Sequence, residues 1–288
     1  MAKSYIRLIR VHHYIKNILV FAALACSGQM FSRDRLLSCV AAFFAFCCIS
    51  SVVYIINDIK DVNKDSIHPT KCRRPIASGK ISVKNACVMA VILFILAMVF
   101  NAFVFRISST TVLLSYLLLN VAYSFGLKNI PILDITILVS GFIIRILYGA
   151  IVTDTKISNW LYLTVIVISF YFALGKRRNE LKQSVDGETR KVLQSYSMGF
   201  LDKSMVMCLS LANVFYALWS MADDTVKLYN TDRLVLTVPV VLLITLKYSM
   251  DIEGDSDGDP VEVLLHDKVL LALCVLYVTV MFVFLYIY

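Results

Sequence analysis

Residues 37–65, LSCVAAFFAFCCISSVVYIINDIKDVNKD, run from twenty mostly apolar positions straight into an acidic tail. About twenty apolar residues wound as an α-helix cross a hydrocarbon core of roughly 30 Å. Stretches of this kind recur along all 288 residues, which are 59% hydrophobic and 17% charged with a mean hydropathy of +0.76. Soluble domains are roughly 45–50% apolar and about 25% charged, so the composition excludes a soluble protein. The apolar stretches lack the two-residue alternation of a membrane β-barrel, which leaves an all-α integral membrane protein.

Polar breaks predict nine transmembrane helices near 17–31, 37–56, 85–103, 110–125, 133–151, 159–175, 204–222, 234–249 and 269–288, as a single membrane domain over 1–288. The first follows Lys3, Arg7, Arg10 and Lys16 as a signal peptide would, but no A-x-A cleavage site follows, so it reads as a retained helix. With the N-terminus in the cytoplasm, inner segments hold 20 of the 28 Lys and Arg and outer loops hold 6, while Arg145 and Lys247 fall within spans. That is the positive-inside pattern of a cytoplasmic N-terminus. The same inner face carries 15 of the 20 acidic residues and all four His. A transporter or flippase would spread polar groups to mid-membrane and open on both sides; this layout points to an enzyme with a cytoplasmic mouth. A net charge of +8 without a soluble basic domain indicates no nucleic acid partner, and favours membrane lipids or phosphorylated substrates. The eight Cys include no CxxC pair and lie mostly in or beside apolar stretches, so neither a disulfide framework nor a zinc site is expected.

The sharpest chemical feature is Asn57-Asp58-Ile59-Lys60-Asp61-Val62-Asn63-Lys64-Asp65. If the helix persists, Asp58, Asp61 and Asp65 at i, i+3 and i+7 share one side. Three carboxylates on one stripe repel each other and need a cation. Hard oxygen ligands suit Mg²⁺, which binds substrate phosphates jointly with one or two carboxylates. The alternative is a solvated helix end whose charge Lys60 and Lys64 offset. Next comes a basic loop from His68 to Lys80, in which Lys71 and Arg74 match phosphate oxygens or serve topology alone. Arg145 stands eleven residues after Asp134, on the same helix face and about 16 Å deeper. There it faces a ligand cavity or is tied to helix carbonyls. Lys176, Arg177 and Arg178 end the sixth span, where cations complement the helix dipole. The run Asp251, Glu253, Asp255, Asp257, Asp259 and Glu262 imitates an EF-hand loop, but Ser256 replaces its sixth-position Gly and Pro260 interrupts it. His12, His13 and Tyr14 read as interfacial anchors.

Asn57-Asp58-x-x-Asp61-x-x-x-Asp65 with Arg74-Pro75-x-x-Ser78-Gly79 resembles the first signature of the UbiA superfamily of intramembrane prenyltransferases, and the resemblance runs over essentially the whole chain. Four passages are similar to the branch that moves phosphoribose onto a polyprenyl phosphate. They are His68-Pro69-Thr70-Lys71; Tyr123-Ser124-Phe125-Gly126-Leu127-Lys128 with Asp134 and Gly141-Phe142-Ile143-Ile144-Arg145; Gly175-Lys176-Arg177-Arg178-Asn179-Glu180-Leu181; and Gly258-Asp259-Pro260-Val261. Prenyl-transferring members resemble one another in a second motif, D-x-x-x-D, at the start of the fifth helix. This chain has Asp134 but Leu138 in place of the second acid.

The resemblance implies Mg²⁺ as cofactor on Asp58, Asp61 and Asp65, with Asp58, Asp61 and Asp134 catalytic. It implies substrate binding by Lys16, Asn57, His68, Lys71, Arg74, Tyr123, Lys128, Arg145, Lys176 and Arg177. The implied partners are phosphoribosyl pyrophosphate, a polyprenyl (decaprenyl-type) phosphate and membrane lipids, with a homo-oligomer left open. The implied setting is a cell (inner) membrane, with the active site facing the cytoplasm and the product feeding cell-envelope glycan synthesis as an arabinan-type precursor. The same-fold alternative is a UbiA-type aromatic prenyltransferase using a prenyl diphosphate, against which Leu138 speaks.

Overall fold

The computed structural model describes residues 2–68, 70–104, 106–183, 191–254, 258 and 260–287, and among them no strand occurs. Pro69 of the basic loop and Asp255, Ser256, Asp257 and Asp259 of the acidic run lie outside the described residues. Among the described residues eight helices are long and apolar enough to cross a membrane, or nine if the bent pair Lys3–Ile9 and Val11–Ala25 counts as one span. The chain divides into two compact units. The first comprises Met1–Ala25, Gln29–Lys128 and Ile144–Thr155, and the second Cys26–Gly28, Asn129–Ile143 and Lys156–Tyr288.

The first unit contains α1 (Ala2–Ile9), a 3-10 segment (Val11–Phe21), α2 (Arg33–Lys60), α3 (Val62–Ile67), α4 (Val83–Ala102), α5 (Ile107–Phe125) and the end of α6 (Leu133–Thr153). At 28 residues α2 is the longest of these. It measures about 42 Å, longer than a hydrocarbon core of roughly 30 Å, so it crosses tilted or with an end outside the core. Its buried Cys39, Ala42, Ala45, Phe46, Ile49 and Val53 form one helical stripe and pack with Ala97 of α4, Leu113 and Tyr116 of α5 and Tyr148 of α6. Where apolar burial drives helices together weakly, small residues that permit close contact matter most. Gly149 is the extreme case, since a Cβ there would lie 1.9 Å from the carbonyl oxygen of Val20.

The bent helix pair at the N-terminus lies earlier than the span expected at 17–31. It starts near Lys3, bends by 43° and ends at Ala25. Arg10, at the bend, has left-handed backbone angles of φ 53 and ψ 53. His12, Lys16 and Asn17 look like a span's polar end in sequence, yet Asn17 is buried and its Oδ1 accepts from Arg145 Nε at 2.9 Å. Arg145 Nη2 also donates to the Tyr116 hydroxyl at 3.2 Å, and its guanidinium lies 4.9 Å from the Phe46 ring centroid. A polar residue that finds such a partner need not end a membrane segment.

The second unit holds the start of α6, then α7 (Asn159–Lys182), α8 (Met198–Met221), α9 (Asp223–Tyr229), α10 (Val238–Glu253), α11 (Pro260–His266) and α12 (Lys268–Tyr286). Tyr171 and Leu174 of α7 share a core with Leu201, Met205 and Cys208 of α8 and Ile252 of α10, and Leu138 packs against it. Gly258, at φ +76, lies so close to α7 that a Cβ would stand 2.9 Å from the Lys176 Cα. The glycine of the Gly258-Asp259-Pro260 passage therefore lets the chain lie on α7 beside its cationic end.

Gly149→Val should lower the thermal midpoint of the detergent-purified protein, because backbone must move to admit the side chain. Overpacking of this kind costs about 1–3 kcal/mol. An unchanged melting curve would show that the segment at Val20 is not held against α6.

Candidate active site

In the first unit α2 ends at Lys60, and Asp61 links it to α3. This break overturns the expectation of three carboxylates on one helical stripe. Asp58 and Asp65 are buried, at 2% and 4% exposure, while Asp61 is turned to Lys128 Nζ, 3.5 Å away. Arg74 spans the buried pair, with Nη1 2.6 Å from Asp65 Oδ2 and 3.2 Å from Asp58 Oδ1. Arg10 Nη2 lies 2.6 Å from the same Asp58 oxygen. Among the described residues no three His, Cys, Asp or Glu side chains form a metal-binding group. The donor chemistry nonetheless fits Mg²⁺. Two carboxylates already converge on one positive atom, Arg74 Nη1, and Mg²⁺ uses one or two carboxylates with substrate phosphates for the rest.

The loop that carries Arg74 is pinned by apolar contacts and its own backbone. Ile76 and Ile81 are buried with Val52 and Ile55 of α2. Ser78 N donates to Arg74 O at 2.9 Å, and Ile81 N to Pro75 O at 3.0 Å. His68 Nδ1 faces the amides of Thr70 and Lys71 at 3.3 and 3.4 Å, so it shapes the turn that carries Lys71. Ser124 Oγ hydrogen-bonds Asn57 Oδ1, and Lys60 Nζ donates to the Ser124 carbonyl at 2.5 Å. Asn57 and Lys60 are thus tied to the end of α5 by Ser124, the neighbour of Tyr123. Lys16 is half-buried on the 3-10 segment.

The second unit contains a separate buried network. Arg177 Nε donates to Asp134 Oδ2 at 2.6 Å, and both side chains have no exposure. Arg177 Nη1 also reaches Glu180 Oε2 at 2.6 Å. The Tyr196 hydroxyl donates to Asp134 Oδ1 at 2.6 Å and accepts from the Ile132 amide at the same distance. Burial, with the Asp134 carboxylate alongside, pushes the Tyr196 phenol up to about 12. Lys176 is half-buried.

The sequence profile of the UbiA prenyltransferase family matches residues 17–221. The chain belongs to this family. A decaprenyl-phosphate phosphoribosyltransferase of Mycolicibacterium smegmatis is 33% identical over 282 residues, covering 94% of this chain and 88% of the relative. A protein of the same name from Corynebacterium glutamicum is 32% identical over 288 residues, covering 96% and 85%. The solved structure of a UbiA homolog from Archaeoglobus fulgidus bound to DMAPP and Mg²⁺ shares the fold. Its TM-score is 0.70 at 14% identity, covering 98% of this chain and 99% of that one. As a UbiA-family transferase with many apolar helices, the protein is a multi-pass membrane enzyme.

Each of the two buried networks includes a residue that the sequence does not single out. Arg10 counts in the sequence only as one topogenic cation among several, and Tyr196 carries no local signal. The geometry also changes how Asp134 and Arg177 are viewed. They lie fully buried against each other.

Tyr196→Phe should destabilise the protein by about 1–3 kcal/mol, because Asp134 loses a buried donor. A phenol held above its ordinary value of about 10 adds stability that is complete below pH 10 and fades as pH rises towards 12. The gap in melting temperature between wild type and variant should therefore narrow over that range. A gap independent of pH would contradict the assignment.

Proposed function

We propose that this chain transfers the 5-phosphoribosyl group of phosphoribosyl pyrophosphate to a polyprenyl (decaprenyl-type) phosphate, releasing pyrophosphate, for cell-envelope glycan precursor synthesis. The observation that carries this reading is the likeness, along 94% and 96% of the chain, to proteins named for that activity. The replacement of the second motif's last acid by Leu138, packed into an apolar core, supports it. A donor other than prenyl diphosphate fits a chain with one rich acidic motif and one reduced one.

Asp58 and Asp65 would hold Mg²⁺, with Asp61 beside them in sequence, and the UbiA homolog solved with DMAPP and Mg²⁺ supports that cofactor. Bound there, the metal would neutralise charge on the departing pyrophosphate. Arg74 and Lys71 bind the donor's phosphates, Arg74 by exchanging carboxylate for phosphate oxygens. His68 keeps the Lys71 turn in shape, while Asn57, Tyr123 and Lys128 line the donor side. Lys16 meets the lipid phosphate, and Arg145 braces its segment through Asn17. Asp134 acts as a positioning residue that orients Arg177, next to Lys176.

The bond from the anomeric carbon to pyrophosphate breaks with both electrons leaving on oxygen. A phosphate oxygen of the lipid forms the new bond from the opposite face, inverting the centre. A phosphate monoester is already nucleophilic at neutral pH, so positioning and charge stabilisation carry the rate. The whole chain acts as one domain with nine spans, a cytoplasmic N-terminus and an inner-membrane site open to the cytoplasm, which the placement of Lys and Arg supports.

With both substrates and Mg²⁺, purified protein should release pyrophosphate only when the lipid phosphate is present. Asp58→Asn should lower kcat about 10²- to 10³-fold, as loss of one main charge-stabilising group does elsewhere. Release that ignores EDTA or the Asp58 variant would overturn the assignment of the site.

A further inference from the structure

The acid pair of the first unit is matched by two cations. Arg74 alone bridges both carboxylates, yet Arg10 also occupies Asp58 Oδ1 at 2.6 Å. Two carboxylates face two guanidiniums, and this side of the site is electrically balanced before any ligand arrives. Arg10 reaches it from the bend between α1 and the 3-10 segment, at left-handed backbone angles that non-glycine residues rarely adopt. Such an outlier persists only where its surroundings hold it. Here the guanidinium is held by Asp58 and by the Tyr54 ring, whose centroid is 4.8 Å away. At 20% exposure, the Arg10 side chain is open to water on one side.

We propose that Arg10 is a gate on Asp58, admitting a divalent cation only together with a diphosphate. The proposal rests on reading the acid pair as a metal-diphosphate site. An Arg does not lose its proton near neutrality, so only an exchange of partners can move it. A lone divalent cation would take the Asp58 oxygen and leave a half-buried guanidinium without a counter-charge. A cation arriving with a diphosphate brings anionic oxygens that accept the displaced guanidinium bidentately. Metal and diphosphate therefore bind with positive coupling, and Arg10 adds to the coupling that Arg74 carries.

The test uses full-length protein in detergent with Mn²⁺ as the metal probe. Bound Mn²⁺ is followed by electron paramagnetic resonance with and without pyrophosphate, against protein-free controls for the Mn²⁺-pyrophosphate complex. Wild type should bind Mn²⁺ about tenfold or more tightly when pyrophosphate is present. Arg10→Gln should bind Mn²⁺ alone more tightly than wild type, and pyrophosphate should then add less than it does in wild type, the remainder acting through Arg74. These changes have opposite signs, which partial unfolding cannot imitate. If Arg10→Gln does not fold, Arg10→Lys, which keeps charge but loses the fork, should still raise the affinity for Mn²⁺ alone. In an Asp58→Asn background, Arg10→Gln should change nothing further.

Unchanged Mn²⁺ binding in the Arg10 variants, or binding weakened equally in both conditions, would overturn the gate. Pyrophosphate is common to phosphoribosyl and prenyl donors. The gate can therefore hold while the phosphoribosyl reading fails, and the reverse outcome is equally distinct.

Discussion

An ionised carboxylate buried without a partner is among the costliest arrangements a protein can hold. Asp58 and Asp65, at the end of α2 and in α3, are both buried. The first unit is organised around meeting their charge. Arg74 must reach both, so its loop is fastened by Ile76 and Ile81 against α2. Arg10 must reach Asp58, so the N-terminal segment takes a bend with an unfavourable backbone. Breaking a buried pair by removing one partner typically costs about 3–5 kcal/mol. The groups proposed to bind phosphate therefore also hold this end of the unit together.

The second unit obeys the same constraint with another outcome. Asp134 is satisfied by Arg177 and Tyr196, and Arg177 is satisfied further by Glu180. No exposure remains on either member of the central pair. With Leu138 in the apolar core, the start of α6 presents one fixed carboxylate where prenyl-transferring relatives are expected to present two. Arg177 has no exposed surface, whereas Arg10 and Arg74 on the acids of the first unit are 20% and 29% exposed and open to an exchange of partners.

Legibility in the sequence followed the physics of each segment. The spans expected at 85–103, 110–125 and 133–151 correspond to Val83–Ala102, Ile107–Phe125 and Leu133–Thr153, because runs of apolar residues bounded by polar ones have few alternatives in a membrane. The helix expected at 159–175 instead runs on to Lys182. Its cations do not end it, since Arg177 and Arg178 find Asp134 and Asp202 as partners. The bent N-terminal pair lies earlier than the span expected at 17–31 for a related reason, because Asn17 is satisfied by Arg145, far away in sequence. Asp58, Asp65 and Arg74 were legible as a group from their local spacing. Their pairing with Arg10, and that of Asp134 with Tyr196, depends on contacts 48 and 62 residues apart that no periodicity records.

The central claim is that the sugar, and not the pyrophosphate, moves onto the lipid. It is tested most directly with two preparations of phosphoribosyl pyrophosphate, one labelled in the ribose and one in the terminal phosphate of its pyrophosphate. Each is incubated with the protein, Mg²⁺ and a polyprenyl phosphate, then extracted with organic solvent. Ribose label in the organic phase, with pyrophosphate label left in water, is the result this account predicts. Folded protein that leaves both labels in water across several prenyl lengths, yet prenylates an aromatic acceptor from a prenyl diphosphate, would contradict it.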